Sequence, residues 1–231
     1  MTTLEAAAAP SALSAFRRAW PKLWEQLGRF LLAFAIFAAF LIPSRFDFGG
    51  LGNVLILLYQ LVIIGPLSFG LYYVYLVAAR GGRVEVSDLF LPLQRAFGTC
   101  VLTNALLSLV LVVASLPLAV AIMIGLVGQS AGFLAASSVL ALLPLFLALR
   151  FLFVPYIIVE EDVGALEALQ RSWQRTGPIF GQLTVFAALA IAIALAGLAL
   201  LFVGVIVSVM WCGLALAILY DDLSEVAEPS A

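Results

Sequence analysis

The chain has 231 residues, 65% of them hydrophobic and only 10% charged, with no histidine and a formal net charge of −2. A soluble domain carries roughly 45–50% apolar and about 25% charged residues, so a globule of this composition could not clothe its surface in polar groups, and its solvent is lipid. The charge offers no basic field for nucleic acid, and the absence of histidine removes the commonest general base and metal ligand.

In chain order, the first ten residues, MTTLEAAAAP, lack a basic n-region and carry Glu5. They read as a disordered lead-in rather than a signal peptide. The next apolar run, Phe30 to Pro43, holds 14 residues. It becomes a full span if its helix begins near Trp20 or Lys22, with basic and aromatic side chains at headgroup level. The alternative is a re-entrant or interfacial segment. Gly49-Gly50-Leu51-Gly52-Asn53 then makes a loop, and residues 53–79 predict one helix, too short for two crossings.

Two charge-free gaps supply the rest: 54 residues between Arg95 and Arg150, and 45 between Arg175 and Asp221. As straight helices these would run roughly 81 and 68 Å against a hydrocarbon core of about 30 Å, so each folds back once. The first is predicted to turn at Gly125-Leu126-Val127-Gly128-Gln129-Ser130, the second between Gly197 and Gly204. That makes six spans. Pro66, Pro117 and Pro144 fall inside them and predict kinks. Cys100 and Cys212 lie in apolar runs and read as small buried hydrophobes.

Cations set the orientation. Arg17, Arg18, Lys22, Arg29, Arg80, Arg83, Arg95, Arg171 and Arg175 fall on the side of the N-terminus, and Arg45 alone on the other. By the positive-inside bias both termini are cytoplasmic.

A pattern of apolar, any, Arg, small, aromatic occurs three times. The copies are Phe16-Arg17-Arg18-Ala19-Trp20, Leu93-Gln94-Arg95-Ala96-Phe97 and Leu169-Gln170-Arg171-Ser172-Trp173, their arginines spaced by 77 and 76 residues. Leu13, Phe90 and Leu166 each stand five before the arginine, so positions −5, −2 and +2 share one helical face. Helix-start residues precede each copy: Ser11, Ser87-Asp88, and Asp162-Val163-Gly164. The expected fold is therefore an all-α, polytopic transmembrane helical bundle, built as three repeats of a cytoplasmic amphipathic helix plus a transmembrane hairpin. Repeats run roughly over 11–87, 88–163 and 164–223, within a domain of 11–223, followed by an acidic cytoplasmic tail at 224–231. Arg18, Arg95 and Arg171, with Trp20, Phe97 and Trp173, are candidate headgroup contacts.

Several of these stretches resemble a known family. They are Arg80-Gly81-Gly82-Arg83-Val84-Glu85-Val86-Ser87-Asp88-Leu89-Phe90, the block from Arg150-Phe151-Leu152-Phe153-Val154-Pro155-Tyr156 through Glu160-Glu161 to Arg171-Ser172-Trp173, and Ala217-Ile218-Leu219-Tyr220-Asp221-Asp222-Leu223. They are similar to the bacterial glycerophosphoryl-diester phosphodiesterase membrane-domain family and the related YciC-like proteins, over most of residues 60–223. The resemblance implies a multi-helix protein of the bacterial inner membrane. It does not imply the phosphodiesterase activity: the barrel that carries it needs about 250 residues, and 11 follow the last predicted span.

No catalytic constellation emerges. Glu160-Glu161-Asp162 reads as a solvated loop that caps the next helix, although paired carboxylates could do acid–base work or hold a divalent metal. Arg150 sits in an otherwise apolar span between Pro144 and Pro155. It either contacts an anion or lipid headgroup in a pocket, or snorkels to the interface and pairs with Glu160 or Glu161. The leading expectation is a non-enzymatic membrane protein that organises or senses lipid or scaffolds membrane partners, with no cofactor and no nucleic acid. The alternative is a small transporter or transport subunit with a site near Arg150, Asn104 and Gln60. An intramembrane lipid enzyme is the third reading, disfavoured by the missing histidine and paired intramembrane carboxylates.

Overall fold

The structure, a computed structural model, describes residues 11–128, 130–199 and 201–227; the expected lead-in 1–10, the end of the expected tail and the turn residue Gln129 lie outside the described residues. All regular structure among the described residues is helical. Six helical stretches are long and apolar enough to cross a membrane: Leu27–Arg45, Gly50–Ala79, Phe97–Val127, Ser137–Glu161, Phe180–Ala199 and Gly204–Ser224. The protein is a polytopic membrane protein.

Helix α1 (Ala12–Glu25) starts on Ser11, whose hydroxyl oxygen accepts from the Ser14 amide at 3.3 Å. It ends at Gln26, and α2 (Leu27–Leu41) begins there as the first span, extended by a 3₁₀ turn at Ile42–Arg45. The expectation that this span begins near Trp20 or Lys22 is corrected. The Gln26 amide donates to the Gly82 carbonyl at 2.9 Å and accepts from the Val84 amide at 2.8 Å, so a clamp onto the next loop fixes the break.

The second span is α3 (Gly50–Tyr59), a π turn at Gln60–Ile64, and α4 (Gly65–Ala79). Pro66 has no amide hydrogen to donate, and the wide turn before it absorbs the mismatch. A 3₁₀ turn at Val86–Phe90 and one helical turn, α5 (Leu91–Arg95), lead into the third span, α6 (Phe97–Val127). The surface helix expected here is thus a short, broken one, because Pro92 starts a new helix and Phe97 already belongs to the span. Pro117 lies within α6, which is helical on both sides of it. The fourth span is α7 (Ala131–Leu140), α8 (Leu142–Arg150) and α9 (Val154–Glu161), with its first break at Ala141, just before Pro144. Helix α10 (Ala165–Thr176) crosses back to α11 (Phe180–Ala199) and α12 (Leu201–Ala227), the last two spans.

The core sits at the arginine-rich end, where the second, fourth and sixth spans meet. Tyr156 stacks on Tyr220 with centroids 5.1 Å apart, Tyr72 meets Tyr156 edge-on at 5.3 Å, and Phe153 packs on Tyr220 at 5.4 Å. Toward the opposite end the helices expose their apolar side chains, Leu51, Leu109, Val112, Val127 and Leu198 among them. In a bilayer these face acyl chains, so their exposure costs nothing there. Helices apolar on every side carry no face of their own, and small residues decide where they approach. A Cβ on Gly197 would lie 2.7 Å from the Gly204 carbonyl oxygen, so α11 and α12 touch backbone to backbone there.

Candidate functional site

Three of the spans leave the core on charged residues: α4 on Arg80, α9 on Glu160 and Glu161, α12 on Asp221 and Asp222. These form one layer. Arg80 pairs with Glu160 and, at 2.8 Å, with Asp221. Arg171 on α10 pairs with Glu161 and, at 2.6 Å, with Glu167 one turn earlier. Arg175 reaches the same Glu161 at 2.5 Å and the Tyr220 hydroxyl at 3.2 Å. Arg18 on α1 forks onto Asp222, one arm at 3.0 Å. Lys22 donates to the Ala79 carbonyl at the end of α4.

Burial works against the charge on Arg80, but its hydrogen bonds to Glu160 and Asp221 outweigh that and hold the guanidinium more firmly protonated than usual. Hydrogen bonds to Glu161 and then Glu167 do the same for Arg171. Glu160 and Glu161 are therefore not the solvated loop the sequence suggested. They are the last residues of α9, and each is held by an arginine from another element.

The three segments with the repeated pattern bury the same register. Relative to Arg18, Arg95 and Arg171, positions −6, −3, +1 and +5 are Ala12, Ala15, Ala19 and Leu23; Leu89, Pro92, Ala96 and Cys100; and Ala165, Ala168, Ser172 and Thr176. All are buried except Ala96, which is half-buried. The sequence pointed to −5, −2 and +2 as the apolar face. Of these, Leu13, Trp20, Phe97, Leu166 and Trp173 are exposed, and only Phe16 is fully buried. Phe16 stacks on Phe186 at 4.9 Å, and its carbonyl accepts from the Trp211 indole at 2.9 Å. The residues one position round the helix are what pack on the bundle; in the first and third segments most of them are small and let helix backbones approach closely.

Two of the candidate headgroup arginines, Arg18 and Arg171, thus meet carboxylates of this chain. The third, Arg95, lines a cavity of about 350 Å³ with Glu160 and Asp162 at its rim and Pro92, Cys100 and Ile158 among its apolar walls. Trp20 leans on Trp211 at 4.6 Å and Trp24 at 5.5 Å, and Phe97 opens α6.

Arg150 pairs with neither Glu160 nor Glu161. Its guanidinium carbon lies 4.6 Å from the Trp173 ring centre, 5.3 Å from Phe146 and 5.4 Å from Phe180, an aromatic cage. One arm donates to the Trp173 carbonyl at 3.3 Å, and the Arg150 carbonyl accepts from Ser172 at 2.9 Å and Thr176 at 3.2 Å. Arg150 thereby fastens α10 to the fourth span. Asn104 and Gln60 do come together, in a separate cavity of about 530 Å³ that Arg150 does not line.

Sequence reasoning missed the ion-pair layer. A signal was present: the exits of the second, fourth and sixth spans carry charges of opposite sign, Arg80 against Glu160-Glu161 and Asp221-Asp222. No family model, curated protein or solved structure matches the chain.

Proposed function

We propose that the chain is a non-enzymatic protein of the bacterial inner membrane, with both termini cytoplasmic. It organises or senses lipid, or scaffolds membrane partners, through the three segments that carry Arg18, Arg95 and Arg171. One observation carries the reading: all three segments turn the same register of positions against the bundle while keeping Trp20, Phe97 and Trp173 on the outside. That arrangement supports a threefold internal repeat with an amphiphilic rim at the membrane boundary, where indole and phenyl rings are favoured.

Brominated-lipid quenching tests it. In a variant that retains Trp173 while Trp20, Trp24 and Trp211 become Phe, shallow bromines are expected to quench the remaining indole. An unquenched Trp173 would overturn the lipid-facing reading and favour partner docking through the same stripe. Reporter fusions at Gly82 and Gly164 are expected to read cytoplasmic and one at Gly50 external; external labelling at Gly82 would reverse the orientation.

A second reading, the transport subunit, is supported by the cavity between α2, α4 and α6. Its polar lining is Gln60, Ser68, Asn104 and Ser108. Polar groups facing hydrocarbon are costly unless something bonds them. Small polar solutes that raise the melting temperature of the protein, but not of Asn104→Val, would support this reading.

A further inference from the structure

The three arginines of the repeated pattern meet different fates. Arg18 grips Asp222 and Arg171 grips Glu161 and Glu167. Among the described residues no ion pair or hydrogen bond holds Arg95. The reason lies in the exits. Where α9 ends on carboxylates and α12 carries Asp221 and Asp222 as it leaves the core, α4 is followed by Arg80, which binds Glu160 and Asp221. The acids before α5 are engaged elsewhere: the Glu85 and Asp88 side chains cap each other's backbone. Arg95 is left to face the cavity of about 350 Å³ between α5, the start of α6 and the end of α9.

That cavity carries both signs. Arg95 stands on its rim together with Glu160, whose charge is shared with Arg80, and Asp162, which ends α9 in a left-handed turn at φ 49°. Among the described residues Asp162 has no bonding partner either. A simple anion would meet Arg95 but also two carboxylates; a simple cation would meet Arg95 as a repulsion. A ligand with one group of each sign satisfies the rim. The walls, Leu91, Pro92, Cys100, Ile158 and Val159, are apolar. The volume falls in the range of roughly 300–1,000 Å³ usual for small-ligand sites.

We propose that this cavity binds the headgroup of a zwitterionic phospholipid of the phosphoethanolamine class. Arg95 takes the phosphate, Asp162 with Glu160 takes the primary ammonium, and the apolar wall takes the glycerol and first acyl carbons. Arg95 suits the phosphate because a guanidinium offers paired donors to two oxygens. The ammonium discriminates against choline lipids, which have no N–H to give. The apolar wall and the position at the membrane boundary select the lipid over the free headgroup. The inference rests on the lipid reading above and can fail without it.

The test uses the full chain in nanodiscs of equal phosphatidylethanolamine, phosphatidylglycerol and phosphatidylcholine, with retained lipid counted by native mass spectrometry after detergent extraction. The wild type is expected to enrich phosphatidylethanolamine. Arg95→Gln should lower its retention about tenfold, the loss of a charge-assisted bond pair, and Arg95→Lys, which keeps the charge but not the paired donors, should fall between the two. Asp162→Asn should narrow the preference over phosphatidylcholine. Undiminished retention in Arg95→Gln, or a wild type with no headgroup preference, would overturn the proposal. Displacement of the lipid by equimolar O-phosphoethanolamine would overturn the lipid assignment in favour of a soluble ligand. Absent preference with Trp173 still quenched sinks this inference alone; loss of quenching sinks the lipid reading beneath it.

Discussion

Arg18 and Asp222 stand 204 residues apart and meet in a two-armed ion pair that ties the first helix to the last. The Arg18 side chain remains half-exposed, so solvent screens the pair and its worth is about 1 kcal/mol or less. In a double-mutant cycle, Arg18→Ala and Asp222→Asn are each expected to lower the melting temperature in detergent slightly, with the double variant no worse than either. Full additivity would show that the two side chains do not act on each other.

Arg150 is expected to resist replacement more strongly. Its cation lies over Trp173 inside a cage, and a desolvated cation–π contact is worth roughly 2 kcal/mol. Lysine keeps the charge and loses the flat guanidinium that three rings can surround. Both Arg150→Lys and Arg150→Met should destabilise the fold, and Trp173→Leu should make the Arg150→Met change nearly silent. Equal losses in the presence and absence of Trp173 would contradict the cage.

Gly70 and Gly181 make a matched pair of glycine tests. A Cβ on Gly70 would collide with the backbone carbonyl of Leu89, which cannot swing aside. Gly181 has open space around the same position within α11. Gly70→Ala should therefore cost on the order of 1–3 kcal/mol or prevent folding. Gly181→Ala should be neutral or add up to about 1 kcal/mol through helix propensity. Size-exclusion profiles and thermal unfolding of the two variants distinguish these outcomes.

The loop between the first two spans has its own acid dependence. Asp47 accepts from the Gly49 amide and from Asn53, both at 2.9 Å, which holds its carboxyl below its ordinary range. Because the folded value is depressed, the contribution is present above the unfolded value and is lost as pH falls through the folded one. Gly49 sits there at φ +65°, which glycine adopts without steric cost. Hydrogen exchange at Gly49 is expected to quicken relative to neighbouring amides at acid pH, and to lose that pH response in Asp47→Asn.

The sequence by itself determined the number of candidate crossings, because charge-free length against bilayer thickness is one-dimensional arithmetic. The gaps after Arg95 and Arg175 each had to fold back; α6 ends at Val127, inside the stretch Gly125–Ser130 that the sequence marked, and α11 ends at Ala199, inside Gly197–Gly204. The equal spacing of Arg18, Arg95 and Arg171 was legible in the same way. Which side of each helix would be buried was not: an apolar residue is equally content against lipid or protein, so Leu13 and Leu166 could face outward while Ala15 and Ala168 packed. Partners were equally hidden. Arg18 finds Asp222, and Arg150 finds Trp173 rather than Glu160, because the tertiary arrangement sets which charged ends and rings converge. Small residues such as Gly70 and Gly197 fix that arrangement by letting backbones touch, a matter of shape that hydropathy does not record.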